Sequence, residues 1–206
     1  MKGSTIILDH IGAVAAAAYL LDGKLDDVQI DHQDAHRPGA IFRAICDRPI
    51  KGQGGMMLRL PAGETAFLRH GKGLRPGQPL LVQVTGIAED GKAVPVTDRL
   101  LFKSRYAIVT PGKPGLNISR QITDEDVRDE LLAVAHEVFD SPHGLILRSS
   151  CEGADEAEIA DDIVAMTTLA DTVLEDAKGK GPEALTEGDG HHVVAWREWT
   201  RAAAHV

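Results

Sequence analysis

The chain has 206 residues, 43% of them hydrophobic, and a net charge of −9, which favours a globular protein with one large core or two small ones. Its two cysteines, Cys46 and Cys151, have no CxxC spacing, which argues against a disulfide scaffold and favours a reducing cytoplasm. The apolar run 11–21 is about half the length that spans a bilayer, so neither a membrane segment nor export is expected.

Residues 1–36 predict a β-hairpin. The segment Ser4–Asp9 is strand-like, and Asp22-Gly23 is a turn signal. Between them the Ala-rich run Ala13–Leu21 is compatible with strand or helix, since a short apolar run cannot be assigned by periodicity. The polar residues before Pro38 favour a linker.

Residues 37–100 predict five short strands separated by Gly- and Pro-containing turns, a pattern typical of an OB-type barrel. The predicted strands are Ala40–Cys46, Gly55–Leu60, Thr65–Leu68, Leu80–Ile87 and Lys92–Leu101.

Such barrels bind single-stranded nucleic acid by stacking bases on aromatic side chains within a cationic groove. Phe42 and Phe67 are the candidate aromatic residues, but either could belong to the core. Core packing is favoured for Phe42, between Ile41 and Ile45, whereas the two alternatives are balanced for Phe67. The candidate cations are Arg43, Lys51, Arg59, Arg69 and Lys92.

The charge is unevenly distributed along the chain. Residues 37–120 contain fourteen Lys/Arg and five Asp/Glu, whereas residues 121–190 contain four Lys/Arg and nineteen Asp/Glu. A basic segment within an acidic protein is typical of a localised polyanion site. A solvated mixture of surface charges is the alternative.

Residues 101–120 connect the basic and acidic parts. Cationic side chains open this connector, a β-prone run Tyr106–Thr110 follows, and two Pro-Gly dipeptides predict turns. We expect the connector to bind phosphate.

Residues 101–190 predict a small α/β module. Thr123 begins a variant capping box for a helix that ends near Asp140, and Leu145–Leu147 is a buried-type strand. A second helix is predicted over Asp155–Lys178. The remaining predictions are a linker at Gly179–Gly190 and a strand at His192–Trp199.

Arg148 is the strongest candidate for phosphate binding, because it follows an apolar strand and precedes two serines. A guanidinium offers paired donors to phosphate, and a hydroxyl adds a neutral donor. An ion pair with a nearby acid such as Glu152 is an equally weighted alternative. Lys103, Arg105 and Arg120 would line the same pocket if Tyr106–Thr110 paired with Leu145–Ser149. The sequence contains no nucleophilic triad, Walker loop or convincing cluster of metal-binding carboxylates.

Two segments, Gly115–Arg120 (GLNISR) and Gly144–Ser149 (GLILRS), carry a resemblance to a known family. With the order of elements around them, they make the chain resemble the N-terminal half of the bacterial ribonuclease E/G family. The resemblance implies an α+β fold: a five-stranded OB-type barrel (37–100), a 5′-phosphate sensor module (101–190) and a hairpin (1–36) from a truncated ribonuclease-H-like subdomain. Residues 191–206 are expected to form a C-terminal strand or tail.

The resemblance also implies roles for individual residues. Arg148 would grip a 5′-monophosphate, with Ser149 replacing the usual Thr. Ile108 would lie under the terminal base, and Ser104 stands where glycine is usual. In the barrel, Phe67 would stack on RNA, Met57 replaces a second aromatic residue, and Lys92 is a basic contact. The full set of expected phosphate-binding residues is Arg148, Ser149, Ser104, Ile108, Arg105 and Arg120.

The family's magnesium-dependent catalytic domain has no counterpart in residues 1–206, so the resemblance implies recognition without cleavage. We expect no cofactor in this chain, and magnesium in the catalytic domain. Expected partners are single-stranded RNA, 5′-monophosphorylated ends and a second copy of the chain in a homo-oligomer, in the cytoplasm. The first hypothesis is the RNA-binding, end-sensing part of an endoribonuclease. The alternatives are a stand-alone non-catalytic RNA-binding regulator and an acidic protein-interaction module.

Overall fold

The computed structural model describes residues 3–31, 36–50, 52 and 54–199. The fold is α+β, with thirteen strands and three α-helices in the described part. The chain forms two compact units. The composite unit is drawn from Met1–Gln33, Phe102–Thr168 and Gly190–Val206, and the barrel unit from Asp34–Leu101 and Leu169–Asp189.

The barrel unit contains the five predicted strands. Side chains from all five strands, such as Leu58, Ala66 and Val82, form a fully buried core, and the first strand is buried on both faces from Ile41 to Cys46. Its strands are β4 (Ile41–Ile50), β5 (Gly55–Arg59), β6 (Thr65–Leu68), β7 (Pro79–Val84), β8 (Val94–Thr97) and the added β13 (Glu183–Thr186). The sheet order is β13-β4-β5-β6-β8-β7, and an additional β4–β7 pairing closes a five-stranded mixed barrel in which only β6–β8 are parallel.

Strand β13 lies within the segment that the sequence predicted to be a linker. It pairs antiparallel with β4, with Glu183 opposite Arg43. Arg43 is only 4% exposed and donates to the backbone oxygens of Gly181 (2.8 Å) and Asp176 and to the Glu183 carboxylate. The prediction that Arg43 is a cation facing RNA is therefore wrong, because its buried guanidinium binds β13 and the residues before it.

The composite unit begins with a three-stranded antiparallel sheet rather than a two-stranded hairpin. The ambiguous Ala-rich run is its central strand, and the following polar residues add a third strand. Asp22 and Gly23 both have positive φ (51° and 78°), as a tight two-residue hairpin turn requires. The strands are β1 (Ser4–Ile11), β2 (Val14–Leu21) and β3 (Lys24–Ile30).

A second sheet in the same unit has the order β11-β12-β10-β9. Its strands are β9 (Phe102–Lys103), β10 (Ala107–Thr110), β11 (Gly115–Ile118) and β12 (Gly144–Leu147). Strands β10 and β12 pair antiparallel, which confirms the pairing on which the phosphate hypothesis depended. Strand β11 pairs parallel with β12. It was not predicted from the sequence, because the two Pro-Gly dipeptides there indicated turns.

Both predicted helices are present, as α1 (Glu125–Val138) and α2 (Glu156–Asp176). The N-cap of α1 is Asp124, one residue after the predicted Thr123. Its carboxylate accepts from the backbone N–H groups of Asp126 and Val127. Ile159 and Ile163 of α2 are buried, as the periodicity predicted.

Residues 191–198 form a helix, α3 (His191–Glu198), so the strand predicted at 192–199 is wrong. Val193, Val194 and Trp196 have strand propensity, but packing decided the outcome. His192, Ala195 and Trp199 are spaced for one helical face, and they contact the N-terminal sheet: the His192 ring lies 2.8 Å from the Asp9 carbonyl oxygen, and Trp199 packs against Tyr19.

In the part of the chain that the structure describes, no helix combines the length and the apolar character that crossing a membrane requires.

Candidate functional site

Arg148 lies at the end of β12, beside the turn that joins β9 to β10. Its backbone N–H donates to the carbonyl of Tyr106 (2.8 Å), which continues the β10–β12 ladder by one step. Its guanidinium donates through Nη1 to the carbonyl of Ser104 (2.6 Å) and through Nη2 to the carboxylate of Glu198 (2.7 Å). The side chain is 13% exposed, so one cation is held at the rim of the turn with part of its surface open to solvent.

The β9–β10 turn is itself fixed by an acid from α2. The Tyr106 N–H donates to the Asp162 carboxylate (2.9 Å), and the Ser104 hydroxyl contacts the same oxygen. The Ser104 hydroxyl also accepts from the Ala107 N–H (3.1 Å). The sequence did not reveal this role of Asp162, since only the fold brings its carboxylate to the turn.

Arg105 points toward α3. Its guanidinium carbon lies 4.0 Å from the centre of the Trp196 ring, a cation–π distance, and Nη1 donates to the Trp196 carbonyl. Its own carbonyl accepts from the Ser150 hydroxyl. Arg105 therefore lies at the same turn as Arg148, although its guanidinium contacts α3.

The other expected phosphate-binding residues differ in position. Ile108 is half-buried on β10, opposite Ile146 of β12. Ser149 opens a 3₁₀ turn directly after Arg148 and is half-buried. Arg120 is exposed beyond β11, and it makes no hydrogen bond or ion pair with any described residue. The structure thus brings Ser104, Arg105, Arg148 and Ser149 to one turn and leaves Arg120 without a contact to them.

Glu198 is the acid that pairs with Arg148, in place of the Glu152 considered from sequence. Burial alone would raise the pKa of Glu198, but the guanidiniums of Arg148 and Arg197 outweigh burial and hold it below its usual value. Arg197 Nε donates to this carboxylate at 2.9 Å. The carboxylate is therefore charged at neutral pH, and it neutralises part of the site.

A second candidate surface lies on the outer face of the barrel unit. Met57 and Phe67 are cross-strand partners on β5 and β6, and both are half-buried because their neighbours in each strand point into the core. The Phe67 ring lies directly over Gly55, where a Cβ would clash with it. The absence of a side chain at Gly55 therefore makes room for the ring.

Cations flank this pair. Arg59 ends β5 and Arg69 follows β6, and both are exposed at opposite ends of the antiparallel pair. Lys92 is exposed and forms an ion pair with Glu89 (2.5 Å), while Lys51 lies outside the described residues. Phe42 is 3% exposed within the barrel core, which confirms the core alternative for that residue.

The described residues do not fit a catalytic metal ion: within 3–31, 36–50, 52 and 54–199 no group of three or more His, Cys, Asp or Glu could hold one. The side chain of His36 contacts Glu64 and packs against the Phe42 ring.

Comparison with known proteins identifies the family. The model described as "Ribonuclease E/G family" matches residues 102–205, about half of the chain, including the β9–β10 turn and Arg148. The chain belongs to the ribonuclease E/G family. This confirms the resemblance drawn from Gly115–Arg120 and Gly144–Ser149.

Curated ribonucleases of both types resemble the chain. Ribonuclease G of Escherichia coli (strain K12) is 27% identical over a region covering 87% of this chain and 41% of that protein. Ribonuclease E of Nostoc sp. is 29% identical over 56% of this chain and 17% of that protein. Ribonuclease G of Haemophilus influenzae is 31% identical over 53% of this chain and 22% of that protein. The chain thus spans less than half the length of these ribonucleases.

Proposed function

We propose that this chain is the RNA-binding portion of a ribonuclease E/G-type endoribonuclease acting in RNA processing and decay, and that it senses the 5′-monophosphate end of single-stranded RNA. The observation that carries the proposal is the position of Arg148, whose guanidinium is held at the β9–β10 turn by the Ser104 carbonyl and whose side chain is 13% exposed. The proposal assigns recognition, and not cleavage, to the described residues.

The residues around Arg148 match the chemistry of a terminal phosphate. A guanidinium presents parallel N–H donors that fit two phosphate oxygens, which supplies both charge and orientation. Arg105 adds a second positive charge at the same turn, and the Ser149 hydroxyl adds a neutral donor. Ile108 offers an apolar surface for the first base.

The barrel unit supplies the sequence-independent part of the proposal. Phe67 lies over Gly55 and opposite Met57, and its half-buried ring is a surface on which a base can stack. Arg59 and Arg69 provide charges for the RNA backbone. Because methionine has no aromatic face, stacking at Met57 is expected to be weaker than at Phe67.

Binding of a short single-stranded RNA that carries either a 5′-monophosphate or a 5′-hydroxyl tests the proposal. The wild-type chain should bind the phosphorylated form more tightly, by about tenfold, the amount that one charge-assisted contact supplies. Arg148→Ala should bind both forms equally. Arg148→Lys should recover only part of the preference, since it restores the charge without the paired donors.

Arg75→Ala is the matched control, because it removes an exposed arginine that belongs to neither candidate surface. It should keep the preference for the phosphorylated RNA. If the wild-type chain and every variant bound the two RNAs equally, end sensing would be contradicted. RNA binding by the barrel surface is a separate claim that this result would not contradict.

A further inference from the structure

Helix α3 contacts the candidate phosphate site through three consecutive residues. Trp196 covers the guanidinium of Arg105 at 4.0 Å, Arg197 Nη1 donates to the Lys103 carbonyl (3.2 Å), and Glu198 accepts from Arg148 (2.7 Å). All of these residues belong to the composite unit. The end of one short helix thus engages both cations that we assign to the terminal phosphate.

The Glu198 carboxylate has the chemistry of the ligand that it faces. A carboxylate oxygen 2.7 Å from a guanidinium nitrogen has the charge sign and distance of a phosphate oxygen bound to arginine. Of the two terminal nitrogens of Arg148, Nη1 donates to the Ser104 carbonyl and Nη2 donates to Glu198. A phosphate that takes Nη2 as one of its two paired donors therefore competes with the Glu198 carboxylate.

We propose that α3 is an internal competitor of the RNA 5′ end: Glu198 holds Arg148 until a terminal phosphate replaces it. This inference rests on the proposed function and adds its regulation. A 5′-hydroxyl carries no anion that could replace the carboxylate, so Glu198 lowers the affinity for the phosphorylated end and leaves binding of the hydroxyl end unaffected.

The exchange is physically accessible. Glu198 keeps a cationic partner when Arg148 leaves, because Arg197 Nε donates to the same carboxylate at 2.9 Å. The Glu198 side chain is 38% exposed, and Trp196 is 41% exposed, so water can reach the groups that must separate. Only Ala195 of α3 is fully buried.

The test compares wild type, Glu198→Gln, Glu152→Gln and Arg148→Ala. The variant Glu198→Gln keeps the size of the side chain and removes its charge. Glu152→Gln makes the same change of net charge at an exposed acid four residues after Arg148 that forms no ion pair with it. For each protein, the affinities for 5′-monophosphate and 5′-hydroxyl versions of one short RNA give a preference ratio.

We expect the ratio to rise about three- to fivefold in Glu198→Gln, the range of a partly exposed ion pair, and to stay at the wild-type value in Glu152→Gln. The rise should come from tighter binding of the phosphorylated RNA alone.

Three other outcomes overturn the inference, and they differ in what they say of the proposed function. An unchanged or lower ratio in Glu198→Gln, with the preference lost in Arg148→Ala, removes the competition and keeps end sensing. An equal rise in Glu152→Gln assigns the effect to net charge alone. A ratio of one in all four proteins contradicts end sensing itself.

Discussion

Phe67 is the side chain through which the barrel surface would contact RNA bases. Its ring lies over Gly55 and the residue is half-buried, so part of its area contacts the sheet and part remains exposed. A ring fixed in this way loses little conformational freedom when a base stacks on it, which makes the contact more effective than that of a mobile side chain.

Replacing Phe67 with alanine should weaken binding of single-stranded RNA by about 1–3 kcal/mol, the contribution of one base–aromatic stack. The loss should be the same for 5′-phosphate and 5′-hydroxyl RNA, because the barrel surface does not contact the terminal phosphate in our account. Fluorescence anisotropy with both RNAs measures it. Thr65→Ala, on the same strand and exposed, is the control, and a loss of the same size there would exclude stacking as the cause.

Arg148 shows what the sequence could establish at a single position. Its place after an apolar strand and before two serines identified it as a phosphate-binding candidate, and the pairing of β10 with β12 placed it beside Ser104 as expected. Its acid partner was not predictable. Glu198 is fifty residues away and lies on a helix that the local pattern indicated to be a strand.

Strand β13 is the element whose stability depends most on one side chain. The guanidinium of Arg43 joins β4 to the end of α2 and to β13 through three acceptors, and Gly179 lies so close to it that a Cβ there would clash. Removing the guanidinium leaves the two part-buried backbone oxygens of Asp176 and Gly181 without this donor.

Arg43→Ala should therefore lower the free energy of unfolding by about 3 kcal/mol. Urea denaturation followed by circular dichroism measures the change. Arg59→Ala removes an exposed arginine from the neighbouring strand, so its stability should stay within about 0.5 kcal/mol of wild type. A loss below 1 kcal/mol in Arg43→Ala would mean that the buried guanidinium is not needed to hold β13.

Some strands and helices were predicted correctly from the sequence and others were not, and the difference has a physical reason. The five barrel strands and the first two helices have strong period-2 or period-3.6 patterns bounded by Gly, Pro or an N-cap, which local sequence reveals. Strands β11 and β13 and helix α3 are four to eight residues long. Their conformations depend on partners elsewhere in the chain, namely β12, β4 and the N-terminal sheet.

At the scale of the molecule, the composite unit is built from three segments that are far apart in sequence. Residues of the N-terminal sheet, the connector, the end of β12 and α3 belong to it, and the candidate phosphate site consists of contacts among the last three. The sequence predicted that cations of the connector bind phosphate. It could not show that α3, which lies far away in sequence, packs against the connector.

The charge segregation also has a structural basis. Cations of the basic segment divide between the barrel surface, the β9–β10 turn and one buried structural role at Arg43. Acids of the following segment approach the turn through Asp162. We expect the candidate phosphate site, where Arg105 and Arg148 lie beside the acids Asp162 and Glu198, to favour a defined terminal anion over an extended polyanion.

The central claim is that the 5′ end of RNA binds at the β9–β10 turn. Photo-crosslinking with a 5′-monophosphorylated RNA carrying 4-thiouridine as its first nucleotide, followed by mass spectrometry, tests it most directly. Our account predicts crosslinks within residues 104–108 and 148–150, and much weaker ones when the same RNA carries a 5′-hydroxyl. Crosslinks of the first nucleotide confined to other residues, or equal in yield and position for both ends, would contradict it.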